Sequence, residues 1–152
     1  MDLRRFPLRL FVIFTAEEGD QAALSRAAQG GRLAVTYVSL DDPNPSYPAI
    51  TIAHEMAHLF GASDKYGPDG LALFPEGYVE PFVDEIYPQR YGELMAVDIP
   101  VGRSREVEAS SLSQLRLGHR SAEEMGWIAK DEADAFYLAP EISPEELLNL
   151  PP

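Results

Sequence analysis

The sequence predicts a single small α+β domain with a short twisted sheet, one central helix, a long loop and helices toward the C-terminus. Three observations carry this expectation. Two early runs are rich in aromatic and β-branched residues. A segment free of internal Gly and Pro stops at Gly61. Glycine and proline then punctuate the chain from Gly67 to Gly102. A length of 152 residues suits one domain.

Taken in order, residues 8–14 read as a buried strand and residues 33–40, which alternate loosely, as a second one. Residues 20–29 between them read as a helix, with Asp20 as N-cap and Gly30-Gly31 as its stop. Three prolines and Asn44 make residues 41–48 an irregular connection. Residues 49–60 form the central helix, with Pro48 tolerated in its first turn. The loop that follows is long enough to suggest function, with a short extended stretch at 78–87. Residues 110–118 and 121–125 read as helical. Ser121/Glu124 and Ser143/Glu146 have capping-box spacing. The core is expected over about 8–128, with 129–152 as an acidic C-terminal extension. The apolar stripe of Ile52, Met56, Leu59 and Phe60 reads as core packing, and Trp127 as a core anchor.

Charge and composition narrow the function. Twelve Lys and Arg against 25 Asp and Glu leave a net charge of −13, which argues against nucleic acid as a partner. There is no Cys, so disulfides and thiolate metal sites are excluded, and a cytoplasmic location is the expectation. Arg4-Arg5 ahead of an apolar run imitates a secretory signal, but Arg9 shortens the run and no cleavage site follows. That run is also too short to cross a membrane. Any metal must be held by carboxylates and by the three histidines, His54, His58 and His119.

Two of those histidines lie in His54-Glu55-Met56-Ala57-His58, an H-E-x-x-H sequence on the central helix. Four residues apart, they project about 40° from each other and rise one turn, roughly 6 Å, so both rings can reach one Zn²⁺. Glu55 lies about 60° around the helix from His58, on the flank where a general base can reach a water held by the ion. Gly61 can take a positive φ, end the helix and turn the chain back. Asp64, three residues later, then returns as an oxygen ligand; the competing reading is a turn or capping residue. A tetrahedral ion held this way keeps its fourth position for water.

The extended pattern H-E-x-x-H-x-x-G-x-x-D resembles the metzincin zinc peptidases, which usually carry His where Asp64 stands. The Asp-bearing form is similar to snapalysin-type proteases, and residues 61–66 also resemble the immune inhibitor A type. The resemblance implies a Met-turn beneath the metal, for which Met95 in Tyr91-Gly92-Glu93-Leu94-Met95-Ala96 is the candidate; plain core filling is the alternative. It also implies about five strands where only two upstream are evident, so the N-terminal part is abbreviated. Several members of the group carry Tyr two positions after the Met, to stabilise the oxyanion. Val97 stands there, which leaves Tyr66, Tyr78, Tyr87, Tyr91 and His119 as substitutes for that role.

The expected activity is zinc-dependent hydrolysis of peptide or protein substrates, with Zn²⁺ on His54, His58 and Asp64 and Glu55 as base. The alternative is a non-catalytic zinc-binding structural or interaction domain, its fourth position closed by His119 or Glu93. His119 otherwise reads as a surface or capping residue. Glu76, Glu80, Asp84 and Glu85 read as a solvated acidic face without the spacing of a calcium loop.

Overall fold

The structure is a computed structural model that describes residues 7–16, 26–27 and 31–138. Its two longest strands are β1 (Arg9–Thr15) and β3 (Leu33–Ser39), the two segments where β-branched and aromatic residues concentrate. They pair in parallel, Arg9 opposite Leu33 and Thr15 opposite Ser39. A third strand, β2 (Arg26–Ala27), runs antiparallel on the other side of β3, so the sheet order is β1-β3-β2. The helix expected over 20–29 falls mostly outside the described residues. Its described pair, Arg26-Ala27, is strand, because its backbone pairs with Ala34 and Val35.

β3 buries alternate residues, Ala34, Thr36 and Val38, on the face covered by helix α1 (Tyr47–Phe60). Pro48 stands in the first turn of α1 and Gly61 ends it at φ 115°, as the sequence predicts. The helix buries Ile50, His54, Glu55, Ala57 and Leu59. Of the expected apolar stripe only Leu59 is buried, since Met56 and Phe60 turn outward at 43% and 42% exposure. Trp127 is 60% exposed and leans on Phe60 at 6.2 Å, so it covers the helix from outside and does not anchor the core.

After α1 the chain builds its second half from short pairings. Strand β4 (Gly92–Glu93) pairs in parallel with β7 (Leu115–Arg116), and β5 (Ile99–Gly102) pairs antiparallel with β6 (Arg105–Val107). Helices α2 (His119–Glu124) and α3 (Lys130–Leu138) follow. Residues 110–118 are not α-helical. A single 3₁₀ turn at Leu112–Gln114 leads into β7, whose Arg116 carbonyl accepts the Leu94 N–H at 2.8 Å. That pairing lets Leu115 enter the core. Residues 78–87 are not extended either, apart from an isolated bridge between Tyr78 and Gly92. The buried Gln89 side chain substitutes for a partner strand there. It donates to the Glu80 and Ile86 carbonyls and accepts the Glu80 N–H at 2.8–3.0 Å, so the irregular backbone is satisfied without a ladder.

The predicted Ser121/Glu124 capping box does not form, because Ser121 lies inside α2, whose N-cap is Gly118. The Ser143/Glu146 pair lies outside the described residues. The C-terminal extension is docked as far as it is described. Ala133 is fully buried, Phe136 stacks on His119 at 3.7 Å, and Asp134 pairs with Arg120 at 3.1 Å. The central cluster joins Ile50, Ala57 and Ala62 to Leu94, Met95, Ile99, Ala109 and Leu115, and so packs α1 against the second half of the chain. Among the described residues no helix is long and apolar enough to cross a membrane. The molecule is a small mixed α+β domain, with short strands and three α-helices among the described residues.

Candidate metal centre

His54 and His58 sit one turn apart on the buried side of α1, and each ring is aimed by a backbone carbonyl. His54 Nδ1 donates to the Leu94 carbonyl at 3.1 Å, and His58 Nδ1 to the Ala62 carbonyl at 2.7 Å. A carbonyl only accepts, so the proton of each neutral ring lies on Nδ1 and the bare lone pair on Nε2. The Gly61 turn serves the site twice: it delivers the Ala62 carbonyl to His58 and returns Asp64 toward the same point. Alanine would not fit there, as a Cβ on Gly61 would stand 2.7 Å from the Glu124 carbonyl oxygen.

The two Nε2 atoms are 3.1 Å apart, and Asp64 Oδ1 is 3.1 Å from each. Ligands about 2.0–2.1 Å from a tetrahedral ion stand about 3.3 Å from one another, so this triangle matches a zinc ligand set closely. The donor chemistry agrees. Two imidazole lone pairs and a carboxylate oxygen repel unless a cation lies among them. Among the described residues this is the one group of three or more His, Asp or Glu side chains spaced to hold an ion. The residues therefore fit Zn²⁺. Burial works against charge on His58, but the Asp64 carboxylate and the Ala62 carbonyl outweigh it and raise its pKa. Burial likewise opposes ionised Asp64, whereas imidazoles that carry a proton on Nε2 donate to it and hold its carboxyl well below the ordinary range, so those protons and a cation compete for one position.

The segment predicted as a Met-turn touches the site through the Leu94 carbonyl on His54. Met95 is fully buried in the central cluster. Its own carbonyl accepts the Lys65 N–H at 2.9 Å, one residue past Asp64. Consecutive carbonyls of this turn thus orient His54 and fasten the segment that carries Asp64. Glu93, fully buried, shapes the turn: its carboxylate accepts the N–H groups of Met95, Ala96 and Gly118. Its backbone carbonyl accepts the Ala96 and Val97 N–H groups at 3.0 and 2.9 Å. Val97 leaves the turn at φ 73°, a strained conformation for a β-branched residue.

Glu55 is buried beside the ligands and lines a cleft of about 250 Å³ with His54, Tyr66, Val97 and Asp98. Of the residues weighed as oxyanion donors, Tyr66 is the one at the site. Its ring lies nearly parallel to that of His54, at 6.5 Å. Burial and the Asp64 carboxylate raise its pKa, which keeps the hydroxyl a donor. The others lie elsewhere. Tyr78 and Tyr87 bond each other at 3.0 Å, Tyr91 lies under Arg90 and Arg116, and His119 stacks on Phe136. His119 and Glu93, the two residues considered for closing the fourth position, are therefore both committed away from it. The acidic residues Glu76, Glu80, Asp84 and Glu85 form no metal group, and Glu76 pairs with Arg120 at 3.0 Å.

A clamp on the Asp64 turn escaped sequence reasoning. The Glu124 carboxylate accepts the Ser63 N–H at 2.7 Å and the Ser63 hydroxyl at 2.9 Å, and meets Lys65 Nζ at 2.8 Å. The only local signal was a glutamate in a short helix, which reads as a cap. Comparison with family models, curated proteins and solved structures returns no match.

Proposed function

We propose that this chain is a zinc-dependent endopeptidase of the metzincin type, acting on peptide or protein substrates. The observation that carries this reading is the 3.1 Å triangle of His54 Nε2, His58 Nε2 and Asp64 Oδ1, with both Nδ1 protons turned to carbonyls. Glu55, buried and lining a cleft together with His54, supports a catalytic reading over a structural one. A metal site that only braces the fold has no use for a carboxylate there. β2 adds support, since it is an antiparallel edge strand with no further described partner, the element an extended peptide can pair with.

Bound to His54, His58 and Asp64, zinc would supply a Lewis acid and lower the pKa of a water molecule toward about 7. Glu55 takes the proton from the attacking water and returns it to the leaving amine. The Tyr66 hydroxyl, in the same cleft as Glu55 and His54, donates to the oxygen on which negative charge gathers. The Leu94 and Ala62 carbonyls keep the imidazoles oriented throughout.

Glu55→Gln is the test. The variant should keep its zinc, measured by metal analysis after gel filtration, and lose at least about a hundredfold in turnover of a casein or peptide-library substrate. Full activity at normal metal content would overturn the mechanism. A wild-type protein that binds zinc yet cleaves nothing would leave the non-catalytic reading in its place.

A further inference from the structure

The cleft lined by Glu55 holds a second carboxylate, Asp98, beside apolar side chains. Beyond His54 and Glu55 its lining includes Tyr47, Ile50 and Thr51 of α1 and Ala96, Val97 and Asp98, which follow Met95. At about 250 Å³ it is smaller than the roughly 300–1,000 Å³ of pockets that take whole small molecules, and suits one side chain. We propose that this cleft is the specificity pocket of the peptidase, and that Asp98 selects substrates with Lys or Arg next to the scissile bond. The inference rests on the endopeptidase reading for what happens to the substrate, but not for what the pocket binds.

Three features support it. The cleft is continuous with His54 and Glu55, so a side chain lodged in it belongs to a residue flanking the reacting carbonyl. Its apolar walls match the methylene stem of a basic side chain, which buries carbon and keeps its charge at the tip. Asp98 lacks a basic partner: among the described residues the charge acting on it is Glu108, a second carboxylate, and burial and Glu108 together push its pKa up. A cation delivered by the substrate would relieve both effects. The net charge of −13 attracts such substrates over longer range.

The test uses the zinc-loaded protein and peptide pools fixed as Lys, Arg, norleucine, Leu or Glu at each position flanking the scissile bond. Cleavage sites are mapped by mass spectrometry, and the same pools, fluorescently labelled, are titrated against Glu55→Gln. Wild type should prefer Lys or Arg over norleucine by at least about tenfold in kcat/KM. Asp98→Asn should erase that preference, bringing kcat/KM for Lys and Arg peptides down to the value for norleucine, and Asp98→Lys should turn it toward Glu. Cleavage without basic preference, or an equal loss on all pools in Asp98→Asn, overturns the pocket assignment and leaves hydrolysis standing. Selective binding of basic peptides that needs Asp98, without cleavage by wild type, upholds the pocket and overturns hydrolysis. Neither binding nor cleavage overturns both.

Discussion

Lys65 Nζ stands 2.8 Å from the Glu124 carboxylate and donates as well to the Ser63 carbonyl and hydroxyl at 2.9 and 2.7 Å. This joins the turn that carries Asp64 to the end of α2. Lys65 is 1% exposed, so its ammonium lies out of water against that carboxylate. Removing one partner of a buried pair strands the other.

Glu124→Ala should therefore destabilise the fold by about 3 kcal/mol, read by denaturant unfolding, and lower zinc retention because the Asp64 turn loosens. Glu124→Gln, which keeps an acceptor for Ser63, should fall between wild type and Ala. The pair also sets a pH dependence. Burial pushes the Glu124 carboxyl up, but Lys65 and Ser63 hold it below its ordinary value of 4.5. The unfolded chain then takes up the proton first, so the contribution is present above pH 4.5 and is lost as pH falls through the folded value. Glu124→Gln should flatten the stability profile in that acid window.

Gly61 gives a second prediction. Its φ of 115° disfavours any side chain, and a Cβ would meet the Glu124 carbonyl oxygen at 2.7 Å. Gly61→Ala should destabilise the protein by about 1–3 kcal/mol from backbone strain alone, and by more once α2 is pushed aside. Because the same turn supplies the Ala62 carbonyl to His58, zinc affinity should fall with it. Unchanged zinc affinity would show that the ligands tolerate a displaced turn.

The legible parts of this molecule are those decided locally. The helix, its stop at Gly61 and the meeting of His54, His58 and Asp64 all lie within one short stretch, governed by helical spacing and a single left-handed residue. The two long strands announced themselves by composition. What stayed hidden depends on residues far apart in the chain. β2, β4 and β7 are two residues each, too short for any period to show. Residues 110–118 carry a helix-like pattern, yet pairing with Gly92-Glu93 decides their conformation. Trp127 reads as an anchor from its size, but α1 offers it only the outward-facing Phe60. Glu124 and Lys65 reveal themselves as partners only when the fold brings them together.

Tyr66 carries the third prediction. Tyr66→Phe removes one hydroxyl and leaves the ring against His54, so zinc content and KM should be unchanged while kcat falls by about a hundredfold, the typical loss for one oxyanion donor. A phosphinic peptide that imitates the tetrahedral transition state should bind more weakly by a similar factor, whereas a product peptide should bind as before. Equal weakening of both ligands would assign Tyr66 to substrate positioning instead.

Glu93 tests whether the turn that carries Met95 is held by its carboxylate. Burial pushes this carboxyl up, by more than the N–H groups of Gly118 and Met95 and the charge of Lys65 pull it down. The folded chain therefore binds its proton more tightly than the unfolded chain. That contribution is complete below the ordinary value of 4.5 and is lost as pH rises through the folded value, opposite in sign to that of Glu124. Glu93→Gln replaces one acceptor oxygen with an amide donor facing a backbone N–H. It should cost about 1–3 kcal/mol, the usual penalty for a buried group left unsatisfied, and remove the stability lost with rising pH. The Leu94 carbonyl that orients His54 is the next residue along, so zinc should also dissociate faster from the variant, measured by transfer to a chromogenic chelator. A variant as stable as wild type, with the same zinc off-rate, would show that the apolar cluster around Met95 shapes the turn without the carboxylate.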